Sequence, residues 1–186
     1  MTDATRPATL TLVTLADLLV SIAVVGLLVG ATLVMLEQGQ QAWHVGAARV
    51  EAQQSARLAL TWLTGELRAA GQGIGAPSLS VVEPTRVVLH VDRDGDGVIA
   101  GPGETIAWRL DRDILRRDAG GGAQPVINGV RRLAFAYFDA GGLPTTDPAA
   151  VRRISITVAT RADHARTAAT AGMGAVLTAE VHVRNR

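Results

Sequence analysis

The chain has neither cysteine nor lysine among its 186 residues. The first absence excludes a disulfide framework, a thiolate metal site and a cysteine nucleophile together. It leaves an exported location open, because a domain that buries enough apolar surface has no need of cross-links. The second makes arginine the only strong base, and the 18 arginines nearly balance 17 acidic residues to give a formal net charge of +1. With no lysine-rich patch, composition recommends neither nucleic acid nor an anionic membrane surface as a partner. The pairs Arg116/Arg117, Arg131/Arg132 and Arg152/Arg153 have acidic residues within reach along the chain and are expected on solvated strand edges.

Catalytic signatures are missing too. There is no G-x-S-x-G, Walker loop or dinucleotide fingerprint, and His44, His90, His164 and His182 show no ligand spacing, so each is expected on a surface or strand face. The glycine-rich stretch at 71–75 ends a predicted helix where a phosphate loop would open one. The sequence therefore points to a protein that is not an enzyme. Its length suits one compact domain with an appendage.

Charge is absent from Leu18 to Met35, the run LLVSIAVVGLLVGATLVM between Asp17 and Glu37. A run of about 18 apolar residues meets the requirement for a transmembrane helix. It is longer than the apolar part of a cleaved secretory signal, and no small-x-small site follows it, so the segment is expected to be retained. Gly26 and Gly30 form a GxxxG spacing that permits close helix approach, a weak signal by itself. Proline is then absent from Glu37 to Ala70, where strong helix formers dominate. Ala56, Leu60, Leu63, Leu67 and Ala70 draw an apolar stripe, opposite Gln53, Gln54, Arg57, Thr61, Thr64, Glu66 and Arg68. Gly71, Gly73, Gly75 and Pro77 stop the helix. One helix from about Leu15 to Ala70, on the order of 80 Å at 1.5 Å per residue, is the expectation. Trp43 is read as an anchor at the membrane interface, and Trp62 and Trp108 as packing residues.

Beyond Pro77 the pattern alternates with period two. Strands are expected over 80–91, 106–110, 114–117, 132–138, 153–160 and 175–183, separated by glycine clusters at 120–122 and 140–142 and by an alanine-rich hairpin loop near 162–174. The fold class is α+β: a long N-terminal helix, apolar then amphipathic, packed on one antiparallel β-sheet. The expected segments are 1–12, leader-like; 13–36, the transmembrane helix; 37–76, the amphipathic helix; and 77–186, the β-rich head.

One motif carries chemistry. Asp92, Asp94 and Asp96 stand at alternate positions with Gly97 after the third. Ca²⁺ takes six to eight oxygens, and a chain folded sharply at glycine converges the side chains of positions 1, 3 and 5 with the carbonyl of position 7, here Val98. Position 12 is Gly103, and the acid stands one later, at Glu104. The loop is thus EF-like with flanking strands, and Ca²⁺ is the expected ion. The bland alternative is a solvated Asp/Gly hairpin.

The segment Val13 to Leu28, VTLADLLVSIAVVGLL, resembles the N-terminal segment of type IV prepilins, whose usual form is G-F-T-L-V-E-L-L-V before an apolar helix. Thr14, Leu15, Leu18, Leu19 and Val20 match, Asp17 falls on the family's glutamate, and Leu12 and Val13 stand where the family has glycine and phenylalanine. The resemblance implies cleavage between Leu12 and Val13 by a prepilin peptidase, N-methylation of Val13, and pairing of Asp17 with the N-terminal amine of a neighbouring subunit. An acid in an apolar run is costly unless paired, and the alternative is that Asp17 reaches headgroup water. More loosely, the following helix is similar to PilW-like minor pilins and to J-type minor pseudopilins of type II secretion. These imply a single-pass inner-membrane protein with a periplasmic head, and other pilin or pseudopilin subunits as partners. A non-polymerising, membrane-anchored periplasmic calcium-binding protein is the alternative outside that machinery.

Overall fold

The computed structural model describes residues 14–74, 77–162 and 174–183. The expectations for Leu12 and Val13, and for nearly all of the 162–174 loop, lie outside them. The chain divides into two compact units, Met1–Trp43 and His44–Arg186. The fold is α+β: one long helix, α1 (Leu15–Ala69), followed by eight antiparallel strands.

In the first unit the described residues belong almost entirely to α1, and from Thr14 to His44 no residue is buried. The segment is long and apolar enough to cross a membrane. Its start follows from Thr14 and Asp17. The Asp17 amide donates to Thr14 Oγ1 at 3.3 Å, while Asp17 Oδ2 accepts from the Thr14 amide at 3.0 Å and from its hydroxyl at 2.8 Å. This is a reciprocal capping box, with aspartate in place of the commoner glutamate.

In the second unit α1 is amphipathic, and the face it buries differs from the predicted stripe. Ala48, Ala52, Ala56, Ala59, Leu63, Leu67 and Ala70 are buried, whereas Leu60 is only partly so. Four alanines at spacings of four, four and three give a smooth surface that a sheet can approach closely, and the leucines then fill a wider space. Two residues assigned to the solvent face are turned inward: Thr64 is buried and Glu66 is half-buried. Trp62, read as a packing residue, is instead exposed at 47%. The helix ends on Gly71, whose φ of 80° suits the left-handed position beyond a C-terminus.

The strands form two sheets where one was expected. The first holds β1 (Leu79–Glu83), β2 (Arg86–His90), β3 (Thr105–Asp111), β4 (Ile114–Asp118) and β5 (Gln124–Ile127) in that order. The second holds β6 (Val130–Phe138), β7 (Arg153–Arg161) and β8 (Gly174–His182). The apolar run at 80–91, read as one strand, is a hairpin: Pro84 and Thr85 make a two-residue turn and pair Glu83 with Arg86. Proline cannot donate to a ladder and presets a turn, which is why the run breaks there. β5 was not foreseen, because its four residues include Pro125.

Trp108, Leu79, Leu89, Ile106 and Leu115 of the first sheet and Leu133, Ile154 and Ile156 of the second fill the core with Leu63 and Leu67. Two polar contacts key the sheets to the helix. Thr160 Oγ1, on the buried face of β7, donates to the Ala52 carbonyl at 2.6 Å. Glu66 accepts from Trp108 Nε1 at 2.6 Å and from Arg117 Nε at 2.8 Å, with Arg117 Nη2 at 2.7 Å. Tyr137 joins the sheets, its hydroxyl donating to the Glu83 carbonyl at 2.9 Å, and burial pushes that phenol far above its ordinary value.

Candidate metal centre

The acidic loop connects β2 to β3 and is tied to the end of α1. The Gly71 amide donates to the His90 carbonyl at 2.8 Å, and the Asp92 amide to the Gln72 carbonyl at 3.0 Å. Across the loop base, the Val91 amide donates to the Glu104 carbonyl at 2.9 Å. Asp92 and Glu104 are thereby held at the two rims. Gly73 is required at the helix side: its φ is +81°, and a Cβ there would lie 2.8 Å from Asp92 Oδ2.

The structure brings together all four carboxylates singled out in the sequence. One oxygen each from Asp92, Asp94, Asp96 and Glu104 lies within 4.8 Å of the others. Calcium–oxygen bonds of 2.3–2.6 Å place two oxygens on one ion no more than about 5 Å apart, so the four can share a single ion. Glu104 stands one place beyond the usual twelfth position, yet it is buried, 1% exposed, and directed inward. Val98 meets the cluster through its amide, which donates to Asp96 Oδ1 at 2.7 Å.

Six backbone amides aim these groups. Gly95 and Gly97 donate to the two oxygens of Asp92 at 2.7 and 2.9 Å, and the Asp96 amide donates to Asp94 at 3.2 Å. Val98 serves Asp96 in the same way. Arg93 and Gly101 serve Glu104 at 3.1 and 2.5 Å. Sequence reasoning did not single out these last two; at Gly101 a Cβ would lie 2.7 Å from the Glu104 carboxyl, which would have to shift to make room for it. A carboxylate offers about four lone-pair sites, so one or two amide bonds leave each free to bind an ion.

The electrostatics are uneven. The Gly97 amide, aided by those of Gly95 and Asp96, holds the Asp92 carboxyl below its ordinary value. At Asp94 the Asp96 amide pulls the same way, but desolvation and the charges of Asp96, Glu104 and Asp92 outweigh it and raise the carboxyl. The guanidinium of Arg93, a residue of the loop itself, gives its Nε to the Gly103 carbonyl at 2.8 Å. A divalent cation would relieve this repulsion, and an all-oxygen donor set suits Ca²⁺ rather than a softer metal.

At the other end of α1, Asp17 is occupied locally through Oδ2 in the capping box. His90 is on a strand face, the buried end of β2, and its Nδ1 lies 3.0 Å from Thr105 Oγ1. No protein-family model matches this chain, and no curated protein matches it.

Proposed function

We propose that this chain is a non-enzymatic, membrane-anchored subunit of the type IV pilin-like class, of the minor pilin or minor pseudopilin kind, which enters a pilus or related filament through α1. The observation that carries the reading is the helix. A single element, Leu15–Ala69, is wholly exposed and apolar in its first part and forms the spine of a β domain in its second. Apolar side chains left bare over that length need lipid or other helices around them. The capping bonds use Asp17 Oδ2, and the remaining lone pairs can accept a neighbouring subunit's N-terminal amine. In the head, Asp92, Asp94, Asp96, Glu104 and the Val98 carbonyl hold Ca²⁺, which stiffens the loop against the end of α1.

Mass analysis of the N-terminus of the protein isolated from its native host tests the reading. A mature chain beginning with methylated Val13 supports it, and an intact Met1 overturns it. An Asp17→Ala chain is expected to be processed and to reach the membrane, yet to be missing from sheared filaments. The convergence of four carboxylates favours a second reading, an anchored calcium-binding protein that never polymerises. That protein would bind calcium while remaining wholly in the membrane fraction.

A further inference from the structure

Two sheets have four edges, and three of them are blunted. β5 has four residues, Pro125 among them. β1 has five, with a register shift between Leu79 and Val81. β6 carries Arg131, Arg132 and a shift of its own, and its Phe135 amide is taken by the Pro84 carbonyl at 2.8 Å. These are the usual devices by which sheets avoid pairing with other chains.

β8 has none of them. It runs nine residues, Gly174–His182, pairs with β7 without a register shift, and contains no proline. Among the described residues nothing pairs with its outer edge. Val176 is 69% exposed, and Ala175, Leu177 and Ala179, on the face that continues to buried Val181, are only half covered. Glu180 is neutralised by Arg153 at 2.8 Å, so it is a poor guard for the edge.

We propose that this edge is the docking surface for a second copy of β8, with two chains pairing antiparallel about a twofold axis at Thr178. The strand is self-complementary in that register. On the half-covered face Leu177 meets Ala179 and Ala175 meets Val181, large against small on both sides of the axis. On the other face Thr178 meets its own copy, the same threonine pairing that β7 already makes, with Thr157 Oγ1 3.1 Å from Thr178 Oγ1. An isologous contact closes on itself and does not propagate, so it is independent of filament growth through α1.

The absence of cysteine permits a test without background. Full-length chains in detergent micelles are given single cysteines and mild oxidant. Opposed residues in an antiparallel pair have Cα atoms about 4.5–5.5 Å apart, within disulfide reach. Thr178→Cys is therefore expected to form a covalent dimer about tenfold faster than the exposed control Leu143→Cys. Val176→Cys alone should form little, whereas an equal mixture of Val176→Cys and Glu180→Cys chains should cross-link. Light scattering should show a dimer that Thr178→Lys converts to a monomer. Equal rates for Thr178→Cys and Leu143→Cys, indiscriminate cross-linking of every β8 cysteine, or a monomeric parent chain would each overturn the pairing.

Discussion

Replacing Glu66 with alanine is expected to be among the costliest single changes to the described helix, although the sequence places it on a solvent face. Its carboxylate side chain is 15% exposed and serves two partners on the first sheet, Trp108 and Arg117. In Glu66→Ala the indole N–H of fully buried Trp108 loses its acceptor, a loss of about 1–3 kcal/mol. The Arg117 guanidinium also loses its counter-ion. Its side chain is 23% exposed and partly served by water, so only about 1–2 kcal/mol of the larger penalty for a fully buried pair applies. The expected destabilisation is about 2–5 kcal/mol, and about 1–2 kcal/mol for Glu66→Gln, whose amide oxygen still accepts from the indole. A cycle with Arg117→Ala should return a coupling of about 1–2 kcal/mol. The assay is urea unfolding of the full chain in micelles, followed by tryptophan emission in a Trp43→Phe, Trp62→Phe background. Both replaced residues are exposed, so the signal isolates Trp108. A loss below about 0.5 kcal/mol for Glu66→Ala would refute the reasoning, since that is what an ordinary surface change costs.

Calcium at about a hundred times its dissociation constant should stabilise the chain by about 2.7 kcal/mol. The Asp94→Ala, Asp96→Ala double variant should melt at one temperature with and without it; no binding by calorimetry at millimolar calcium, together with equal melting of the parent, would end the calcium reading. Gly73→Ala, strained at φ +81° and crowded by Asp92, should cost about 1–2 kcal/mol in thermal unfolding and weaken calcium binding as well. Thr160→Val keeps the shape and removes the bond to the Ala52 carbonyl, so chemical denaturation should show a loss of about 1 kcal/mol. Trp62→Ala, by contrast, should change stability by less than about 0.5 kcal/mol.

What could be read from the sequence follows the range of the forces involved. The helix was legible nearly to the residue, because apolar length, absent proline and the glycines after Ala70 are local signals. The strands 106–110, 153–160 and 175–183 were legible from alternation alone. The hairpin at Pro84 was not, since a hydrophobic run on both sides of a two-residue turn looks continuous until the proline is given its weight. Glu66 and Thr64 failed for a different reason. Polar residues on a helix are assigned outward by default, and only a partner 42 and 51 positions away, as Trp108 and Arg117 are, reverses that for Glu66. The division into two sheets is likewise a property of which edges meet, and Tyr137 reaching the Glu83 carbonyl is invisible along the chain.

The acidic cluster was legible in the sequence as a set of carboxylates but not as a place, and its place favours the proposal of a cation. Asp92 lies against the turn that ends α1, through its amide on the Gln72 carbonyl. A helix C-terminus carries partial negative charge and favours cations by about 0.3–1 kcal/mol, so carboxylates gathered there have the wrong sign. Six amides offset part of that repulsion, but the raised Asp94 carboxyl shows that they leave a remainder. An Asp/Gly turn with no ligand to hold has no need of a buried fourth acid from the far rim of the loop. Glu104 is nevertheless drawn in, held by two amides and lying where a Cβ at Gly101 would displace its carboxyl. It is the one member of the cluster that a simple hairpin does not explain.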